Sequence, residues 1–174
     1  MGNLPLQPML VHIPLAVAFL LPIVVVVMLV GHSVGRLGRG GWITVSAITA
    51  VLLVSSIVAQ RSGEAEEERV EGLVSERVLE THEERGEVFT WTVAALFALT
   101  ALIPLTARKK LREGGGLAAL ALSIVVAVLA LRVGHAGATL VYQEGAPMAY
   151  VDGQTPRSSA DADDDHEERE SDEH

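Results

Sequence analysis

Three histidines, His12, His82 and His135, stand at the ends of strongly apolar runs. An imidazole at the rim of a bilayer is costly without a partner, and it is a ready ligand for haem iron, copper or zinc. A haem takes axial ligands on opposite faces, which facing helices of a bundle can supply. His135 would be one such ligand and His12 or His82 the other. Copper or zinc takes three or four ligands, which the three imidazoles and one of Glu83, Glu84 or Glu144 could provide. Arg132, or Arg77 and Arg85, would neutralise haem propionates. Gly134 and Gly137 flank His135 and leave a small-residue surface on which a flat macrocycle or a neighbouring helix can lie. Tyr142 follows on the same segment and would support the site from alongside. A single interfacial histidine more often hydrogen-bonds than ligates; the weight comes from three of them reaching the same side.

The elements that must bring them there are membrane spans. In a chain of 174 residues, 49% are hydrophobic, which a soluble domain of this size rarely shows and a small polytopic membrane protein does. Four apolar runs, 9–30, 42–60, 88–107 and 117–133, are long enough to predict helices through a hydrocarbon core of roughly 30 Å. The first has no preceding Lys or Arg and no small-residue cleavage site after it, so it reads as a span and not as a signal peptide. The loops after spans one and three are short and basic, carrying Arg36 and Arg39, then Arg108, Lys109, Lys110 and Arg112. The bias of Lys and Arg to the cytoplasmic side predicts a multi-pass protein of the cell's inner (plasma) membrane with both termini outside. His12, His82 and His135 then share the outer face. Trp42 fits an interfacial anchor, and His32 falls in the loop 32–41.

Between spans two and three, residues 64–87 carry Val70, Val74, Val78 and His82 at every fourth position among charges. That spacing predicts an amphipathic helical extension with His82 facing inward. Residues 1–150 form the four-helix transmembrane domain of an all-α protein. Residues 151–174 are Pro-, Ser- and Asp-rich, cannot bury a core and are expected to be a disordered acidic tail.

The chain has no cysteine, which removes disulfides, thiolate metal sites and covalent c-type haem. No H-E-x-x-H motif, Ser–His–Asp series or Gly-rich phosphate loop is present. The basic residues form no patch with interleaved aromatics, which argues against a nucleic-acid partner. The spans offer no charged or polar group at mid-depth that would mark a transport path. The expected partners are the lipid bilayer, a cytochrome or other redox protein on the outer face, and a second copy of the chain. The cofactor expected from the residues is b-type haem, with copper or zinc as the alternative; a non-catalytic structural subunit of a membrane complex needs neither.

The segment Leu6-Gln7-Pro8-Met9-Leu10-Val11-His12-Ile13-Pro14 resembles the L-H-P-x-x-V-H-F-P opening of a bacterial membrane family known as domain of unknown function 2231. Ser62-Gly63-Glu64-Ala65, Thr81-His82-Glu83 and the stretch from Gly134-His135-Ala136-Gly137 through Leu140-Val141-Tyr142 to Gly145 also resemble its motifs, over about residues 4–148. The resemblance implies four spans and, by association with cytochrome-like proteins, b-type haem and electron transfer. Gln7, Ala138 and Glu144 depart from the family's pattern, which has His, Gly and His there, while His12, His82 and His135 keep it.

Overall fold

The computed structural model describes the backbone of residues 11–70 and 76–142 and the side chains of 11–64, 76–108 and 110–139. Four long helices follow one another: α1 (His12–Ser33), α2 (Arg39–Val70), α3 (Glu76–Leu102) and α4 (Lys109–Tyr142), with a 3₁₀ turn (Ile103–Leu105) after α3. Each is long and apolar enough to cross a membrane. The protein is an all-α, four-helix membrane protein, as its composition predicts. The helices form a ring: α1 and α3 each pack on α2 and on α4, and among the described residues the backbones of the diagonal pairs stay apart.

One spacing holds the ring together. The buried positions are Pro14, Ala18, Leu21, Val25 and Met28 on α1, and Trp42, Val45, Thr49, Leu52, Ser56 and Ala59 on α2. On α3 they are Phe89, Val93, Leu96 and Thr100, and on α4 Gly116, Ala119, Ser123, Val126 and Ala130, a series that Ala136, also buried, follows out of step. Steps of three and four alternate on every helix. The mean of 3.5 keeps a single seam facing the neighbours in a left-handed bundle. Residues off the seam, such as Leu20, Ile23 and Val27, are apolar and exposed, as lipid-facing side chains should be.

The seam on α4 is built of small residues, so its backbone comes close to its neighbours. A Cβ on Gly116 would stand 2.6 Å from Leu29 Cδ2 and 2.9 Å from the Trp42 ring. Trp42 is therefore no interfacial anchor: it is fully buried over Gly116, because it starts the seam of α2 and the glycine leaves room for an indole. Trp91, 70% exposed, is the tryptophan that faces outward, and its indole N–H donates to Glu87 at 3.4 Å.

The helix ends differ from the sequence expectation for local reasons. α1 runs on through His32 to Ser33 and stops where Gly35 adopts φ +73°, a left-handed conformation that glycine takes without strain. The amides of Arg36 and Leu37 then close on the Gly31 carbonyl at 2.9 and 3.0 Å, and His32 Nδ1 pairs with the Leu37 carbonyl at 3.1 Å. α3 ends at Leu102 because Pro104 has no amide proton to continue the ladder. α4 begins at Lys109, so the expected loop before span four is helix and only a short turn separates α3 from α4. The extension between spans two and three is helical as expected: residues 64–70 prolong α2 and 76–87 open α3, and 71–75 lie outside the described residues. The amphipathic stripe is accordingly described only at Val78 and His82, and the acidic tail 151–174 not at all.

The interior also holds Thr49, Ser56, Thr100 and Ser123, buried polar groups at mid-depth that the reading of the spans as wholly apolar overlooked. The Ser46 hydroxyl lies between two carbonyls, 2.7 Å from Thr100 on α3 and 2.9 Å from Trp42 on its own helix. The hydroxyls of Thr49 and Thr100 meet at 2.9 Å. Ser56 and Ser123 donate back to Leu52 and Leu120 in their own helices. The bonds of Ser46 and Thr49 join α2 to α3. Such interhelical bonds contribute about 0.6 kcal/mol each on average. Thr100→Val should therefore lower the stability of the detergent-solubilised protein by about 0.5–1.5 kcal/mol in an SDS titration, with no change in helicity.

Candidate functional site

The seam decides where each imidazole goes. His82 lies seven residues before Phe89 and fourteen before Leu96, on the same line of α3. It is half-buried and turned onto α4, against Gly137. Its Cε1 lies 3.3 Å from where a Cβ on Gly137 would be, so only glycine lets the two helices meet this closely without displacing the ring. Its Nδ1 is buried and has no hydrogen-bond partner. His82 thus faces inward, as its spacing with Val78 predicts.

His135 and His12 lie off the seam. His135 is one residue before buried Ala136 and is exposed; His12 opens α1, two residues before buried Pro14, and is exposed as well. The expectation that three imidazoles and a glutamate gather on one ion is not met: among the described residues no three His, Asp or Glu side chains come close enough to hold a metal. The reason is geometric. α1 and α3 are diagonal in the ring with their backbones apart, and His12 and His135 are exposed while His82 is half-buried. Tyr142 closes the backbone of α4, but its side chain and all of Glu144 lie outside the described residues.

What α3 and α4 do bring together is an open groove of about 500 Å³. Glu84, Arg85 and Val88 line it from α3, and Leu129, Leu131, Arg132 and His135 from α4. Val88 follows Arg85 by three residues and His135 follows Arg132 by three, so each helix presents its pair on one face. The result is one imidazole and two guanidiniums beside a wall of aliphatic side chains. Arg85 is also near enough to act on His82 through its charge, linking the clamp behind the groove to its lining. Of the expected site residues, His135 and Arg132 share the groove, His82 and Gly137 form the clamp, and His12 belongs to neither. Gly134 is exposed with nothing near a would-be Cβ, whereas Gly137 admits His82, a neighbouring helix's side chain and not a macrocycle.

Four apolar helices in a closed ring, with charged extensions at one end and a short basic turn at each hairpin of the other, define a multi-pass integral membrane protein. The chain belongs to the family described as Predicted membrane protein (DUF2231), which matches residues 3–149. No curated protein and no solved structure matches it. Arg85 was legible in the sequence as a possible partner for propionates; the aliphatic wall was not, because helices that are apolar all round hide which face is lipid and which is partner.

Proposed function

We propose that the protein binds b-type haem in the α3–α4 groove and passes electrons at that end of the bundle, on the extracytoplasmic face, a reading that the clustering of Lys and Arg at the other end supports. The observation that carries this reading is the composition of the groove: an imidazole, two guanidiniums against one carboxylate, that of Glu84, and an aliphatic wall around about 500 Å³, within the size range of cofactor pockets. These groups fit what the cofactor presents: His135 would ligate the iron, Arg85 and Arg132 would pair with the propionates, and Val88, Leu129 and Leu131 would cover the porphyrin face. Bound there, haem would supply reversible one-electron exchange. His82, packed against Gly137, is better suited to holding the outer turns of α4 in register than to serving as a second axial ligand. Its clamp keeps Arg132 and His135 at fixed depth. The exposed groove also leaves one side open to a redox partner.

The absorption spectrum of the full chain purified from haem-replete cells tests this. The expected result is a Soret band that shifts on dithionite reduction. A colourless preparation carrying equimolar copper or zinc would give the site to a metal ion instead. A preparation with neither would leave a scaffold subunit whose histidines only hydrogen-bond.

A further inference from the structure

At the opposite end of the bundle, six cationic residues, Arg36, Arg39, Arg108, Lys109, Lys110 and Arg112, sit in or beside the two hairpin turns, and Glu113 is the one acid near them. Arg36, Arg39, Arg108 and Lys110 are exposed. Arg112 is engaged in the fold, donating through Nη2 to the Thr106 carbonyl at 2.9 Å. Both α2 and α4 begin here, so two helix N-termini, each carrying a partial positive charge, point at the same rim. Neither has an acidic residue in its first turn. Cations at helix N-termini oppose the helix dipole, and in sequence the two turns carry one acid, Glu113, against six cations. An external anion is the natural complement.

The surroundings say which anion. Leu37, Leu105 and Leu111 lie exposed between the cations, Leu105 at 72% and Leu111 at 60%. Just inside them the exposed surface is mainly apolar, with Val30, Ile43 and Leu102 exposed. The cations therefore stand at the level where hydrocarbon gives way to headgroups, and the leucines reach back toward the acyl chains. We infer that the basic rim is a binding collar for the phosphate groups of anionic phospholipids, independent of whatever the histidine-bearing groove holds. A headgroup phosphate meets guanidinium and ammonium groups there while its acyl chains lie along the exposed aliphatic faces of α1 and α4.

The test uses the full chain reconstituted into phosphatidylcholine vesicles doped with spin-labelled phosphatidylglycerol or spin-labelled phosphatidylcholine. The immobilised fraction should be several-fold larger for the anionic lipid, and the excess should fall as salt rises. Combining Arg36→Gln, Arg39→Gln, Arg108→Gln and Lys110→Gln should bring the two lipids to parity. The pair Arg36→Gln and Lys110→Gln, which touches neither Arg112 nor the seam, should halve the excess if the fourfold variant does not reconstitute. Equal immobilisation of the two lipids by the unmodified chain would overturn the inference. So would protection of the detergent-solubilised protein by inorganic phosphate with no preference between lipids, which would point to a free-phosphate site.

Discussion

His135→Ala removes the Soret band while the bundle stays folded. The side chain is exposed, off the seam and not needed by any neighbour in the interior, and alanine is the better helix former. The variant should therefore keep its helicity and its resistance to SDS. Its haem occupancy should fall by well over about tenfold, because even residues that only orient a metal ligand cost about 10–100-fold in affinity when lost. Two companions separate ligand from clamp. His12→Ala, on a helix that does not line the groove, should keep full occupancy. His82→Ala should keep a haem spectrum but lose stability, since it empties the contact with Gly137. A His82→Ala protein without haem beside a His135→Ala protein with it would exchange the two roles.

The second large effect lies in the packing. Gly116→Leu puts a Cβ 2.6 Å from Leu29 and 2.9 Å from a fully buried Trp42. The indole has no free space to enter, so α4 must move away from α1 and α2. Overpacking of this kind costs about 1–3 kcal/mol and more where backbone shifts. Gly114→Leu is the control, because nothing lies within 4 Å of a Cβ there; it should be neutral or stabilising by up to about 1 kcal/mol through helix propensity. Thermal unfolding followed by circular dichroism in one detergent should separate the two variants clearly. Equal melting would mean that α4 does not approach Trp42 as described.

Both predictions rest on the 3.5-residue seam, and the seam marks what the sequence could and could not tell. Number and approximate place of the spans follow from run length alone, because a bilayer needs about twenty apolar residues. The facing of His82 also follows, since it continues a line with Val78 among charges, where inside and outside differ in polarity. Inside the spans that contrast is gone. Leu20 and Leu21 are chemically identical, yet the first faces lipid and the second is fully buried. Trp42 was misplaced for the same reason: a tryptophan at the end of an apolar run looks like an anchor unless the glycine that receives it, Gly116 some seventy residues on, is known. The convergence of three histidines was over-read from topology. Sharing one end of a bundle fixes depth but not azimuth, and a side chain one position off the seam, like His135, turns out of the core.

The central claim, that this end of the bundle holds haem on His135, is tested most directly by the pyridine haemochrome content of the unmodified full chain, purified in mild detergent from haem-replete cells. About one b-type haem per chain is the result expected from a groove with a single exposed imidazole. A content near zero, in protein whose circular dichroism shows the four helices intact, would contradict it.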